Sequence, residues 1–289
     1  YPVRGSFDAL GTYFGQIGLN TKDDHIYLFF QFNAETASIN LQVNQSRGGE
    51  FLESQGVANR VSWSPQKPCA AAGYYTVAMA SSPDKGAQGD GFATATISSL
   101  GVTRLVGTLA DGTPWSSTAS LDDESALSLY ASLYKGNGSL SGILYFSLQR
   151  GQRGDGQLVW CLPKTSEAIS SKLEVNALPY EAPASGEPAL FFTRALLELK
   201  DGGLVLPVEK FGTLNGENRF IFETPQPEAV QLAIDPATGI VSGTFVHPLH
   251  GLTKLRGIAR QNLNRIDGFF VGQSGTGSMH LSERIILLR

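Results

Sequence analysis

Hydrophobic and polar residues alternate with a period of two along much of this chain. In Ser38-Ile39-Asn40-Leu41-Gln42-Val43-Asn44 every second residue is apolar, so Ile39, Leu41 and Val43 are predicted to share the buried face of a strand. Leu127, Leu129, Ala131 and Leu133 repeat that spacing. Ile26 to Phe32 is an aromatic and apolar run of the kind strands favour, and Ser139 to Phe146 and Gln157 to Trp160 continue the series. Between the runs lie Asp90-Gly91, Asp111-Gly112, Gly136-Asn137-Gly138, Asp155-Gly156, Asp201-Gly202-Gly203, Asn215-Gly216 and Asp267-Gly268. Such pairs supply the positive φ angles of tight hairpin turns. Asp267-Gly268 also reads as a bulge, because Phe269-Phe270-Val271 follows at once. Two segments carry helix signals: Asp122 to Tyr134 opens with Asp122-Asp123-Glu124, and Ala189 to Lys200 holds good helix formers. Both are short and bounded by strand patterns, and both are read as strands. The pattern predicts an all-β chain of two related antiparallel meander β-barrels or sandwiches with little helix.

A repeat supports that reading. Gly101-Val102-Thr103-Arg104-Leu105-Val106-Gly107-Thr108 is echoed by Gly239-Ile240-Val241-Ser242-Gly243-Thr244, and each copy follows a short alternating run. Between Pro163 and Pro188 the alternation gives way to polar and Pro-rich sequence. The expected organisation is an N-terminal β domain over 1–165, a connection over 166–188 and a C-terminal β domain over 189–289. The alternative is one continuous fold with a long surface crossover.

Composition narrows the function classes. Of 289 residues, 42% are apolar, enough for a packed core, and 33 glycines with 14 prolines fit frequent turns. The net charge of −4 argues against a nucleic-acid partner, which needs a basic footprint, and against anionic membranes. No apolar run approaches the roughly 20 residues of a membrane-spanning helix, so no membrane insertion is expected. A chain opening at Tyr1 is expected to be a processed or trimmed product. Cys69 and Cys161 lie at the edges of one strand-rich block, and either a disulfide or two buried free thiols fits them.

Candidate chemistry is sparse. His247 and His250 flank Pro248-Leu249 with no acidic or Cys ligand beside them, so no metal site is expected. Asp122, Asp123 and Glu124 are sequence neighbours, which on a strand point to opposite faces and make no catalytic pair. The loop Pro83 to Gly91 offers two Asp around a Lys, poor provision for calcium. Gly272-Gln273-Ser274-Gly275 only partly matches a nucleophile elbow. No cofactor is implied. Trp115, just after the turn at Asp111 to Pro114, and Trp63 are the candidate ligand-binding residues, as aromatic platforms for a sugar. The apolar tail Arg284 to Arg289 could either close its own barrel or add a strand to a neighbour's sheet edge.

One resemblance spans roughly residues 70–160 and 230–280. Gly73-Tyr74-Tyr75-Thr76, Gly89-Asp90-Gly91-Phe92, Leu105 to Thr113, Leu129 to Tyr134 and Gly138 to Gly142 occur in order, followed by Ser242-Gly243-Thr244-Phe245 and Gly268-Phe269-Phe270. In these residues the chain resembles a β-rich repeat module of very large secreted and surface proteins of environmental bacteria. Cys161 departs from the pattern, in which a residue such as Lys follows the Trp. The resemblance implies an extracellular or cell-surface scaffold without established chemistry. The leading expectation is a non-enzymatic structural or adhesive module whose partners are other copies of itself or neighbouring surface modules. A carbohydrate-binding module with glycan partners is the alternative, and a glycosidase with carboxylates from distant strands ranks third.

Overall fold

The computed structural model describes residues 3–18, 25–47, 50–81, 87–147, 149, 152–163, 170–273 and 275–284. The chain divides into two compact units, Tyr1–Ser62 and Trp63–Arg289. The first holds four antiparallel strands in sequence order, β1 (Thr12–Gly18), β2 (His25–Asn33), β3 (Ser38–Arg47) and β4 (Glu50–Ala58). Phe32, Phe30 and Leu28 lie opposite Ile39, Leu41 and Val43, so the predicted apolar face exists. It is only half-buried, Leu28 being its one buried member, because four strands alone cannot enclose a core.

The second unit contains two eight-stranded antiparallel meanders. The first runs through β5 (Gly73–Ser81), β6 (Asp90–Ile97), β7 (Val102–Thr108), β8 (Pro114–Ser120), β9 (Ala126–Leu133), β10 (Gly138–Phe146), β11 (Gly154–Cys161) and β12 (Ser170–Pro179). It closes through β5 and β12 and leaves one seam between β8 and β9. The second runs through β13 (Ala195–Asp201), β14 (Val208–Leu214), β15 (Phe220–Phe222), β16 (Gln231–Ile234), β17 (Ile240–His247), β18 (Gly251–Arg260), β19 (Arg265–Gly272) and β20 (Gly275–Glu283). It closes through β13 and β20, with its seam between β15 and β16. The all-β, barrel-like expectation therefore holds, and among the described residues no helix is long and apolar enough to cross a membrane.

The connection expected over 166–188 is corrected in part: residues 170–179 form β12, the strand that closes the first barrel. Leu173, Val175 and Ala177 point into the core, a period-two signal overlooked beneath the surrounding polar and Pro-rich sequence. The expected 1–165 domain likewise spans two units, with its boundary at Ser62.

Both barrels are filled. Val77, Met79, Leu105, Leu140, Leu158 and Trp160 pack the first interior; Leu197, Val241, Phe245, Leu255, Phe270 and Met279 pack the second. Eight strands leave an interior just wide enough for such side chains. The repeat has a physical basis in strand contact. Gly101 and Gly239 occupy positive φ, at 75° and 71°, in the turns that open each copy. A Cβ on Gly107 or Gly243 would collide with the carbonyl oxygen of Phe92 or Gln231 on the paired strand. The copies lie in different barrels but at different positions, β7 being the third strand of its meander and β17 the fifth of its own. They repeat a hairpin rule, not a position in the barrel.

The barrels meet through their outer faces. Ala78, Phe92 and Ala110 of the first pack on Ile258 and Phe269 of the second. Beside this patch Tyr74 donates to the Thr238 carbonyl at 3.0 Å and Tyr180 to that of Pro236 at 2.8 Å.

Candidate functional site

Neither tryptophan forms an open platform. Trp115 lies in β8 opposite Gly107, points into the first barrel and is 5% exposed. Its position after a turn suggested exposure, but strand alternation turns it inward. Trp63 is half-buried; its indole N–H donates to the Leu121 carbonyl at 3.1 Å, and the Lys67 ammonium stands 5.5 Å over the ring. Cys69 and Cys161 are both free thiols, Cys69 buried in the first core and Cys161 half-buried at the end of β11, so no disulfide joins them. Much of the calcium-like loop, residues 82–86, lies outside the described residues, as does the tail beyond Arg284. His247 and His250 stack with ring centroids 4.3 Å apart. Burial holds His247 below its usual pKa, helped by the neighbouring His250.

Two features sequence reasoning missed flank the barrel junction, and both are built on β18. Its alternation sends Thr253, Leu255 and Ala259 inward and Lys254, Arg256, Ile258 and Arg260 outward. Ile258 is the apolar contact with the first barrel, and the cations lie to either side of it.

On one side, Arg260 enters a buried ionic cluster. Its guanidinium donates to Asp267 Oδ2 at 2.9 Å and also to Asn176 of the first barrel. Arg265 donates to the same Asp267 oxygen at 2.9 Å, and His280 Nδ1 lies 3.1 Å from Oδ1. Asp267 is 1% exposed. Burial alone would raise its pKa; hydrogen bonds from His280 and Arg260, with the charge of Arg265, overcome this and hold it at about 2. Asp90, from β6, faces the cluster. Burial and the Asp267 charge push its pKa up to about 6, while its hydrogen bond to Asp267 holds His280 above the usual imidazole range. Asp267-Gly268 is neither turn nor bulge: it sits within β19, where Asp267 opposes Ile258 and Gly268 opposes Gly257.

Ligand atoms of Asp90, Asp267 and His280 lie within 4.8 Å of one another, and this is the one such group among the described residues. The donor set does not suit a cation, because two guanidiniums already crowd Asp267 Oδ2 and His280 Nδ1 engages Oδ1. The split pKa values also resemble an acid–base pair of carboxylates. Yet both Asp267 oxygens are engaged and the side chain is buried, so it cannot reach a substrate. The cluster joins the barrels.

On the other side lies an open cleft of about 950 Å3 along the β15–β16 seam and the outer face of β16–β18, walled by Phe92 and Thr108 of the first barrel. Strand register lays out its floor. Arg219 bridges to Ala233, Ala233 pairs with Ser242, and Ser242 with Arg256. Beside this row, Gln231, Thr244 and Lys254 form a second. At a strand spacing of about 4.8 Å, the backbones of the two arginines stand roughly 14 Å apart across small residues. Arg219, Lys254 and Arg256 are exposed and enter none of the ion pairs among the described residues. No carboxylate is among the residues lining the cleft. A smaller cleft of about 480 Å3 shares Lys254 and Arg256 and reaches Gly112 and His250, so the turns that follow the two repeat copies converge on this surface. The signal was present: Thr253-Lys254-Leu255-Arg256-Gly257-Ile258-Ala259-Arg260 places its cations at even positions, on one face of a strand.

Compared with known proteins, the chain matches no family model and no curated protein.

Proposed function

We propose that this chain is a non-enzymatic extracellular β module with an adhesive role, engaging its partner from outside the barrels through the cleft on β16–β18. The observation that carries this reading is the cationic rim of that cleft, which enters no ion pair among the described residues, on a chain whose net charge is −4. Three exposed cations outside any ion pair among the described residues contribute little to folding, whereas they are well placed for an incoming anion. Large apolar side chains pack both barrel interiors, which favours a ligand bound on the outside. Asp267, one of the acid–base-like pair, has both oxygens held at the junction by Arg260, Arg265 and His280, which speaks against turnover. The resemblance to modules of large secreted proteins favours an extracellular setting.

The test is to incubate the protein with a panel of insoluble polysaccharide matrices, wash them, and measure both retained protein and released reducing ends. The expected result is retention without release. Reducing ends released at a steady rate, and lost in Asp90→Asn, would replace this reading with that of a glycosidase.

A further inference from the structure

We infer that the cleft holds an acidic polysaccharide, a sugar polymer with carboxylates along its length; this rests on the exterior-binding reading above. Charge selects an anion, since Arg219, Lys254 and Arg256 rim the cleft and no acid lines it. Guanidiniums match carboxylates geometrically, and two of them at opposite ends of one row suit a ligand that crosses several strands. The floor between them is built of small and polar side chains, Ala233, Ser242, Thr244 and Gln231, which can meet sugar hydroxyls.

Other polyanions fit less well. Single-stranded nucleic acid needs exposed rings on which bases stack. The rings lining this surface, Phe92, Phe220 and Phe269, are between 1% and 6% exposed. An acidic peptide would dock by adding a strand to an open edge. The seam edge here is partly occupied, by the Arg219–Ala233 bridge and by the Ile234 N–H donating to the Asn218 carbonyl at 2.9 Å. A neutral glycan held by stacking lacks a platform for the same reason as nucleic acid.

Affinity electrophoresis of the full chain tests this, in native gels containing polygalacturonate, dextran sulfate, neutral dextran, poly-glutamate or single-stranded DNA. Polygalacturonate is expected to retard the wild type most strongly. Raising the ionic strength from about 0.05 to 0.5 M should remove most of that retardation. The double variant Arg219→Glu/Arg256→Glu should weaken it at least about tenfold. Ser242→Glu, which keeps both arginines but places a carboxylate directly opposite Arg256, should do the same. Both variants sit on the surface, and circular dichroism is expected to be unchanged. Retardation by dextran equal to that by polygalacturonate would overturn the inference. So would stronger retardation by DNA, poly-glutamate or dextran sulfate, or unaltered retardation of both variants. If matrices in the preceding experiment retain the protein while polygalacturonate does not, the acidic-polysaccharide assignment falls and the adhesive reading stands. Release of reducing ends would remove the adhesive reading itself.

Discussion

Lys254 and Arg256 stand on the same face of the same strand as Arg260, yet the three residues have different work. Arg260 is buried against Asp267, Asn176 and Arg265, where two barrels press together. Lys254 and Arg256 lie beyond Ile258, where the first barrel no longer covers β18. Chemistry alone does not distinguish them; cover does. A cation under cover must have its counter-charge, and its pairing becomes part of the fold. An uncovered one is solvated, adds little to stability and is available to a ligand.

The sharpest way to break this comparison is at Asp267. Asp267→Ala removes the acceptor shared by Arg260, Arg265 and His280 and leaves the buried Arg260 without the carboxylate it is bonded to. A loss of about 3–5 kcal/mol in denaturant unfolding is expected. If Asp267→Ala costs no more than Arg256→Ala, the ionic cluster is not what joins the barrels.

Protonation gives a second, smaller effect. The Asp90 pKa of about 6 in the fold lies above its ordinary 3.8, so the fold binds an extra proton between those values. Its contribution is full below pH 3.8 and is lost as the pH rises through about 6. His280, also raised, acts in the same direction, its contribution being lost as the pH climbs through its elevated pKa. Asp267 has the opposite sign: its contribution is present above 3.8 and lost as the pH falls through about 2. Junction stability is therefore expected to be greatest near pH 4 and to decline towards neutrality. Asp90 accounts for on the order of 2 kcal/mol of that decline. Thermal melts of wild type and Asp90→Asn across this range check it, and the variant should show a flatter profile with higher stability at neutral pH. An equally steep profile would remove Asp90 from the account.

Smaller still is the effect of deleting residues 1–62. The buried clusters of the second unit include no residue before Cys69. Residues 63–289 are expected to unfold within a few degrees of the full chain in calorimetry. The smallest effect belongs to Arg256→Ala, expected within about 0.5 kcal/mol of wild type.

Much of the fold was legible in the sequence because its devices are local. Alternation at Leu127 to Leu133 and the turn pair Asp111-Gly112 each report on their own neighbourhood. The two segments with helix signals, 122–134 and 189–200, end in β9 and β13 as their surroundings implied. The candidate site was not legible in this way. Arg219, Ala233, Ser242 and Arg256 come from four strands and become one row only through register. Asp267 was hidden by the Asp-Gly pair, which marks a turn at Asp111-Gly112 but lies within strands at Asp90-Gly91 and Asp155-Gly156; here the Gly permits Gly257 to approach closely within a strand. Trp115 was misplaced because pattern alone does not tell a barrel's inner aromatic from an outer one. The tyrosine and tryptophan in the module-like sequence prove to be packing devices. Trp160 donates to the Tyr134 hydroxyl at 3.0 Å, and Tyr134 to Asp111 at 2.5 Å, fixing the turn that carries Gly112.

Hydrogen exchange with and without polygalacturonate tests the central claim most directly, because it reports where a ligand sits. Added protection is expected in peptides from β16, β17 and the first half of β18, covering Gln231, Ser242 and Arg256, with residues 265–267 and 280 unchanged. Protection concentrated at Asp267 and His280, with none on β16–β18, would contradict the division of β18 into a binding end and a folding end.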